Sequence, residues 1–306
     1  MLSPRPYSGS QDLRLAQTLV QTRWHELGVR AGWHIGDLAW WIAHDQKLFE
    51  HASERICLWL EDGSGETLAS SWIDGHGVLD VQVLPSIDEA GVMSAALRWY
   101  EERVARVVPP DRFRGRPGAY AMDGDHKLAS VLGDNGYAPA ADGGGPVLSR
   151  LLTDGGPESR ELPSGYEVRP VRMDAELATR VEVHRAAFHP SQLTTEAYRR
   201  VVSTWPYRSD LDWVAVGPDD GFVAFCLCWF DEINRVVTLE PVGCHPDHRG
   251  RGIAGAVCSA ALRHAANLGA LAATVCSDPA DGPAWALYTS LGFHPSVERL
   301  LFEKAL

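Results

Sequence analysis

Two phrases in the sequence repeat at a fixed distance, and they constrain the fold more than any other feature. Both run a helical pattern into a glycine, an aromatic residue, one further residue and a proline: "LASVLGDNGYAPA" at 128–140 and "ALYTSLGFHPS" at 286–296. Gly136 and Gly292 lie 156 residues apart, and an apolar, strand-like segment follows each phrase. Self-similarity at a fixed spacing indicates an internal duplication. We therefore expect two copies of one α/β unit in tandem.

A segment without apolar periodicity separates the two copies. It reads "TDGGPESRELPSG" at 153–165 and is rich in Gly, Pro, Ser and charged residues, a composition typical of a linker. The length of 306 residues also exceeds that of one average domain. We expect a first domain at 1–152, a linker at 153–165 and a second domain at 166–306.

The second half of the sequence alternates strand and helix patterns. Strands are predicted at 166–171, 212–216, 222–230, 235–245 and 270–276, and helices at 174–188 and from Gly252 onward. The second helix is expected to end near Gly269. Its predicted apolar face consists of Ile253, Val257, Ala260, His264 and Leu268. Since this helix connects two strands, we expect a βαβ crossover in a mixed sheet.

Composition excludes several classes of function. A net charge of −12 argues against nonspecific nucleic-acid binding, which needs a basic face. The apolar run at 222–230 is far shorter than the roughly 20 residues that span a bilayer, so no membrane association is expected. The six cysteines form no CxxC pair, and we expect no disulfide framework, no zinc ribbon and no other metal site. No secretory signal precedes them, and the cytoplasm is the expected compartment.

The stretch "HPDHRGRGIAGAV" at 245–257 places basic residues and glycines between a predicted strand and a predicted helix. Glycines let a backbone approach a ligand, and the free amides of a first helical turn favour an anion. A solvent-exposed basic turn that binds no phosphate could have the same sequence. A Walker loop is excluded because no Lys-Ser or Lys-Thr pair follows the glycines, and no acidic residue stands where a dinucleotide site needs one.

Two segments in order resemble the signatures of the GCN5-related N-acetyltransferase (GNAT) family. The first is "VGCHPDHRGRGIAGAV" at 242–257, where Arg249, Gly252 and Ala254 match the acetyl-CoA pyrophosphate signature. The second is "DGPAWALYTSLGF" at 281–293, which departs from the family pattern because Asp281 replaces the usual Asn. The second signature also contains the family's tyrosine, at Tyr288.

The resemblance extends to the tandem members of the family. It implies an α/β (α+β) fold of two GNAT-like domains, each a mixed, mostly antiparallel central sheet flanked by helices. The first half has no counterpart to "RGRG", and its Asp88 and Glu89 would repel a phosphate. We therefore expect a degenerate first domain that does not bind CoA, and a catalytic second domain.

Family resemblance also assigns roles in the second domain. Tyr288 would protonate the departing thiolate, since a phenol is protonated at neutral pH. Pro241 cannot donate to a strand ladder, so a bulge is expected near it, and Val242 and Cys244 would offer backbone groups to the pantetheine arm. Glu240 is the first choice for the general base, with a structural acceptor at the strand kink as the alternative. The expected cofactor-binding residues are Val242, Gly243, Cys244, Arg249, Gly250, Arg251, Gly252, Ile253, Ala254, Gly255, Asp281 and Tyr288.

Together these features predict an N-acetyltransferase that moves an acetyl group from acetyl-CoA directly to the amine of a small molecule. The cosubstrate is acetyl-CoA, and no metal is expected. A noncatalytic acyl-CoA-binding or sensing protein is the alternative from another class. A nucleotide enzyme is a third possibility, and competition of ATP or NAD against CoA would reveal it.

Overall fold

The two repeated phrases adopt the same local structure, as a computed structural model shows; it describes residues 2–85, 87, 89–113 and 115–304. An aspartate, Asp125 or Asp281, lies a few residues before each phrase, and its side chain accepts a backbone N–H of the helix that runs into the phrase. Each helix then ends at a glycine with left-handed backbone, φ +83° at Gly136 and +84° at Gly292. These helices span His126–Asp134 and Gly282–Ser290. The two repeated phrases are thus alike in backbone structure as well as in sequence, as expected for a duplication.

The described residues contain thirteen strands. In chain order they are β1 Leu2–Pro6, β2 Ile56–Glu61, β3 Thr67–Ile73, β4 Val78–Val83, β5 Gly118–Met122, β6 Tyr137–Pro139, β7 Gly145–Leu151, β8 Glu167–Pro170, β9 Asp212–Val216, β10 Phe222–Asp231, β11 Val236–Cys244, β12 Ala272–Cys276 and β13 His294–Lys304. The strands of the second half confirm the predicted ones to within three residues at each end.

Eleven α-helices accompany the strands in the same part of the chain. They are α1 Ser10–Leu27, α2 Ile35–His44, α3 Gln46–Glu50, α4 Ala52–Arg55, α5 Glu89–Glu101, α6 Val104–Val107, α7 His126–Asp134, α8 Met173–Ala187, α9 Thr195–Ser203, α10 Ile253–Asn267 and α11 Gly282–Ser290. Short 3-10 turns occur at Gly28–Ala31, Ser209–Leu211 and Pro246–His248. None of these helices is both long and apolar enough to cross a bilayer.

The chain divides into two compact units whose bounds differ from the predicted division. Unit 1 comprises Met1–His34, Gln46–Val147 and Ser296–Leu306, and unit 2 comprises Ile35–Asp45 and Leu148–Pro295. Helix α2, encoded in the first half, therefore belongs to the second unit, and most of the last strand belongs to the first. The predicted linker at 153–165 lies wholly within unit 2. Contacts between residues far apart in sequence decide these assignments, and neither periodicity nor composition records them.

Unit 1 is built on a mixed sheet with strand order β1-β2-β3-β4-β5-β13, and β6 pairs with β13. Only β4 and β5 run parallel among its registered pairs; the others are antiparallel. Its core contains Leu97 and Tyr100 of α5 and Leu132 of α7, packed against β-strand residues such as Ile73 and Leu79. Asp88, one of the two acids expected to repel a phosphate, lies outside the described residues, and so does the side chain of Glu89.

Unit 2 has the sheet order β7-β12-β11-β10-β9-β8. Strand β10 is buried along its whole length because helices cover both of its faces. Successive residues of β10 point to opposite faces of the sheet. Cys226 and Cys228 pack in the core that contains α10, whereas Leu227 and Trp229 pack against α2, α8 and α9. Since β10 pairs antiparallel with β9 and β11, and β11 pairs parallel with β12, the sheet is mixed as expected.

The crossover β11-α10-β12 confirms the predicted βαβ unit, with one correction to the buried face of its helix. Ile253 and Val257 are buried as predicted, but Ala260, His264 and Leu268 are only partly buried. The helix instead buries Ala261, Leu262 and Ala265 farther along, while His264 contacts Asp210 at 3.2 Å. A helix of small residues can lie close to a sheet over a wide arc, so a narrow stripe underestimates its buried surface.

Candidate active site

A β-bulge interrupts β11 at the predicted place. On β10, Cys226 lies opposite Val242 and Cys228 opposite Leu239, so two residues of β11 face the single Leu227. Those two residues are Glu240 and Pro241. Proline cannot donate to a ladder, and a bulge is where a strand tolerates it. The bulge therefore changes the direction of β11 just before its carboxyl end.

Beyond the bulge, β11 has a free edge. Its registered pairing with β12 covers only Val236–Thr238, so the last residues of β11 diverge from that neighbour. On the other side, the amide of His245 donates to Val223 of β10 at 2.8 Å. Hydrogen-bonding direction alternates along a strand, so Gly243 also faces β10, and Val242 and Cys244 direct their backbone groups toward the diverging edge. This is the edge where the sequence predicts a pantetheine arm.

Gly243 itself is required by packing. A methyl group at its Cα would lie 2.4 Å from the ring of Phe225 and 2.9 Å from the side chain of Ala187. The end of α8 can therefore lie directly over this strand only because residue 243 has no side chain. Gly243 thus shapes the cleft from behind and is not placed to contact a ligand with a side chain.

The glycine-rich loop leads from β11 into the N-terminus of α10. Gly250 and Gly252 adopt left-handed backbone, with φ of +73° and +77°, and no heavy atom lies within 4 Å of a side chain built at either. The first helical bond runs from the amide of Ala256 to the carbonyl of Gly252. The amides of Ile253, Ala254 and Gly255 are therefore those of a first helical turn, which attracts anions. The loop has the form of an open cradle for a phosphate.

The two loop arginines are exposed and held by neighbouring groups. Arg249 donates from Nε to the carbonyl of Cys244 at 3.2 Å and from Nη2 to that of Ala187 at 2.9 Å. Arg251 donates from Nη2 to the carbonyl of Asp247 at 3.1 Å. Arg249 thus fastens the end of α8 to the end of β11, while its positive charge stays beside the loop.

Two residues of this region were not foreseen from the sequence. The hydroxyl of Tyr166, the residue just before β8, lies 3.0 Å from Nη1 of Arg251 and 2.9 Å from Nδ1 of His248. Arg160, within the predicted linker, donates to the carbonyl of Ser290 at 2.7 Å, and its guanidinium covers Gly255. A side chain at position 255 would meet Arg160 at 2.5 Å. The segment expected to be a passive linker therefore joins the start of α10 to the end of α11.

Glu240 lies in the bulge with a half-buried side chain. Burial raises the pKa of its carboxyl to about 8, and the negative charge of Asp37 on α2 adds to the effect. A carboxyl with a pKa near 8 exchanges its proton close to neutral pH, as a general base must. Glu240 also acts as a hydrogen-bond acceptor at the strand kink, the structural role that the sequence left open. Its main-chain carbonyl accepts a hydrogen bond from Nε1 of Trp229 at 2.6 Å.

Tyr288 lies on α11 and is buried in the core of unit 2, where its ring meets Phe293 edge to face. Burial raises the pKa of its hydroxyl well above 10, and the charges of Cys258 and Glu240 add to the shift. The phenol is therefore protonated at every physiological pH. The negative charge of Glu240 thus acts on the hydroxyl of Tyr288.

Two other predicted residues have plain structural roles. Burial raises the pKa of the Cys244 thiol, although Arg249 and Arg251 oppose the shift, so the side chain is a neutral thiol packed against the core. Asp281 caps α11, and its carboxylate lies 3.5 Å from the amide of Ala284. Within the described residues, no group of three or more His, Cys, Asp or Glu side chains could hold a metal ion.

Unit 1 contains a similar divergence of two parallel strands, but its own side chains occupy the gap. Strands β4 and β5 pair only at Val78 and Leu79. Nη1 of Arg23 donates to the carbonyl of Val83 at 2.5 Å, and Gln82 donates to Asp80 at 2.6 Å. A small cavity of about 20 Å³ lies beside these side chains, between β4 and β5.

The model of the acetyltransferase (GNAT) family matches residues 179–293, which contain the bulge, the loop, α10 and Tyr288. This part of the chain is therefore similar to the GNAT family. Both signatures named in the sequence lie within the matched residues. In place of the usual Asn of the second signature, the chain has the helix-capping Asp281.

The chain is similar over most of its length to an acetyltransferase. A mycothiol acetyltransferase of Pseudarthrobacter chlorophenolicus is 27% identical over 248 residues, which are 76% of this chain and 72% of that protein. The family match and this relative support acetyl transfer as the general activity. They support no particular acceptor.

Solved structures match the GNAT architecture over both units. A tandem GNAT protein from the clavulanic acid biosynthesis pathway is 15% identical, with a TM-score of 0.64 over 100% of this chain and 99% of that one. A GCN5-related N-acetyltransferase from Sphaerobacter thermophilus is 19% identical, with a TM-score of 0.63 over 99% and 95% of the two chains. At these identities the likeness shows the fold alone, and it confirms the tandem α/β arrangement.

Proposed function

We propose that this chain transfers an acetyl group from acetyl-CoA directly to the amine of a small molecule, and that unit 2 is the catalytic unit. The observation that carries the proposal is the free edge of β11. There an open phosphate cradle, an unpaired strand edge, a carboxyl with a pKa near neutrality and a protonated phenol all belong to one 49-residue stretch, from Glu240 to Tyr288.

The binding mode follows from these elements. The pyrophosphate of CoA would lie on the amides of Ile253, Ala254 and Gly255, with Arg249 and Arg251 supplying charge. Open space at Gly250 and Gly252 supports this fit, since a phosphate can approach the backbone there. The pantetheine arm would lie along Val242 and Cys244 like an added strand. Asp281 accepts where the family's Asn donates and accepts, so its contact to the arm would be weaker.

The chemistry needs a neutral amine, a polarised carbonyl and a proton for the thiolate. Glu240 would take the proton of the attacking amine, directly or through a water. The amide of Cys244 would polarise the thioester carbonyl as the new C–N bond forms and the C–S bond breaks. Tyr288 would give its proton to the departing sulfur. The net change moves one proton from the amine to the thiol, and bulk water restores both residues.

We further propose that unit 1 does not bind CoA. Arg23 already donates to the carbonyl of Val83, which lies where unit 2 has its free edge. The chain would then bind one acetyl-CoA. A reducing cytoplasm is the proposed compartment, which fits the six free thiols.

The test is an acceptor screen with the full chain, acetyl-CoA and detection of the released thiol. Small primary amines of different size and charge form the panel, and mass spectrometry checks each hit for the N-acetyl product. Transfer to at least one amine supports the proposal. A noncatalytic acyl-CoA-binding protein, the alternative, would bind acetyl-CoA by calorimetry and acetylate none of them.

A further inference from the structure

The general base lies in a bulge, and a bulge by itself is a poor support for a catalytic side chain. The extra residue of a bulge leaves the regular ladder, so its backbone is not held by the neighbouring strand. Glu240 occupies this position in β11. A reacting group must be held within a fraction of an ångström to be effective. Something outside the ladder must therefore fix its orientation.

We propose that Trp229 is the positioning residue for Glu240, and that Gly36 of α2 holds Trp229 in place. This inference rests on the proposed role of Glu240 as the general base. It adds two residues, one of them from the first 40 residues of the chain, to the machinery of the reaction.

The contact between Trp229 and the bulge is direct. The indole Nε1 donates to the main-chain carbonyl of Glu240 at 2.6 Å, a short hydrogen bond. Trp229 is completely buried, so no water competes for that carbonyl from the side of the ring. Fixing the carbonyl fixes the peptide plane after Glu240, and with it the direction in which its side chain leaves the backbone.

Helix α2 closes over the other side of the indole. A side chain built at Gly36 would lie 2.1 Å from Cβ and 2.2 Å from Cγ of Trp229, far inside any real contact distance. The backbone of α2 therefore lies directly against the tryptophan, and only glycine permits this approach. Tyr207 meets the same ring edge to face, with centroids 6.1 Å apart. The indole is thus confined on both sides and has one orientation.

The test uses Trp229→Phe, which keeps an aromatic ring and removes the N–H donor. We expect kcat to fall about tenfold while the KM for acetyl-CoA changes less than twofold, because the cofactor contacts are elsewhere. Trp213→Phe is the matched control. It removes an indole donor on β9 to the backbone carbonyl of Asp210, 3.0 Å away in the 3-10 turn Ser209–Leu211, and should leave both constants unchanged.

A double-mutant cycle shows whether Trp229 acts through Glu240. If it does, Trp229→Phe lowers kcat about tenfold in the native chain and less than twofold in Glu240→Gln. Equal factors in both backgrounds, or no loss in the native chain, overturn the positioning role. If Glu240→Gln alone leaves kcat unchanged, the assignment of the base fails first, and the two failures are thereby distinguished.

One further variant guards against a loss caused by misfolding. Replacing Trp229 by β-(3-benzothienyl)alanine, in which sulfur takes the place of N–H, keeps the shape of the ring and should reproduce the loss of kcat. Full activity of this protein would contradict the proposal. Gly36→Ala tests the contact of α2 with the indole: by displacing the indole from the carbonyl of Glu240, it should lower kcat in the native chain and have little effect in Glu240→Gln.

Discussion

The hydroxyl of Tyr166 bridges Nη1 of Arg251 and Nδ1 of His248, at 3.0 and 2.9 Å, so β8 supports the glycine-rich loop from outside it. Tyr166→Phe removes this bridge and leaves Arg251 without one of its orienting contacts. We expect the Kd for acetyl-CoA to rise about threefold to tenfold, with kcat unchanged at saturation, because one hydrogen bond to a charged group is lost. Isothermal titration calorimetry measures the change.

The control for Tyr166 is Tyr137→Phe. It removes a hydroxyl bonded to Glu101 at 2.9 Å in unit 1, away from the proposed cofactor site. Its Kd should equal that of the native chain. An unchanged Kd in Tyr166→Phe would show that the bridge does not orient Arg251 for the cofactor.

Gly252 has a left-handed backbone that a side chain would strain. Gly252→Ala strains a backbone with φ of +77° and adds a methyl group to the open space of the cradle. We expect acetyl-CoA to bind at least tenfold more weakly, as measured by calorimetry. Gly63→Ala, with φ of +98° in an open turn of unit 1, supplies the same strain away from the site. Equal losses in both variants would attribute the effect to strain alone.

Glu240 predicts the pH dependence of the reaction. The base must be deprotonated, and its pKa lies at about 8, so kcat/KM should rise with pH and level off above about 8. Glu240→Gln should lower kcat/KM about 100-fold and abolish this rise of kcat/KM with pH. The acceptor for this experiment is a weakly basic amine, such as an arylamine, whose own titration falls below the range. If kcat/KM of Glu240→Gln still rises with pH in this range, the titrating group is another residue.

The same pKa has a consequence for stability. The folded chain holds the proton of Glu240 up to about pH 8, whereas an unfolded chain releases it near pH 4.3. The contribution of this group to the free energy of unfolding is therefore complete below about pH 4.3 and is lost as the pH rises through 8. Glu240→Gln should melt at a higher temperature than the native chain at pH 8.5, and this advantage should shrink toward pH 4.

If Tyr288 protonates the departing thiolate, removal of its hydroxyl should slow turnover. Tyr288→Phe should lower kcat about 100-fold while the Kd for acetyl-CoA stays within twofold, since only the hydroxyl is removed from a buried ring. Stopped-flow detection of the released thiol gives kcat. Tyr198→Phe removes another buried hydroxyl of unit 2, one bonded to Asp212, and serves as the control for packing. If Tyr288→Phe retains native turnover, the acid is another group.

A buried ion pair predicts the stability of unit 2. Arg180 donates from Nε to Asp212 at 2.9 Å, and both side chains are completely buried. Asp212→Asn leaves an unpaired buried charge and should destabilise the chain by about 3–5 kcal/mol in urea denaturation. Glu232→Gln breaks a pair with Arg208 on the surface and should cost less than about 1 kcal/mol. Similar costs for both variants would contradict the importance of burial here.

Local patterns in the sequence were sufficient to predict the bulge of β11 and the backbone of the glycine-rich loop. Pro241 within an apolar strand indicates a bulge because proline lacks the N–H of a ladder, and the structure contains a bulge at Glu240 and Pro241. Gly250 and Gly252 indicate left-handed backbone before a helix, and both have it. These features depend on neighbouring residues in the chain, which a single sequence records.

The supporting residues could not be predicted in the same way. Gly36 and Trp229 are almost 200 residues apart, and nothing in the local pattern of α2 assigns it to the second unit. Arg160 belongs to a segment whose composition is typical of a linker, and Tyr166 directly follows it; the contacts that order both residues are tertiary. The buried face of α10 was placed too narrowly for a similar reason: a helix of small residues is buried by its neighbours over a wide arc, which hydropathy does not encode.

The most direct test of the central claim follows acetyl transfer in the full chain beside its two catalytic-site variants. Native protein, Glu240→Gln and Tyr288→Phe are each incubated with acetyl-CoA and the best amine of the acceptor screen, and the N-acetyl product and released CoA are quantified together. We predict equal amounts of both products from the native chain and a loss of about 100-fold in each variant, with acetyl-CoA still bound. Tight binding of acetyl-CoA without any acetylated amine, or full turnover in both variants, would contradict the account.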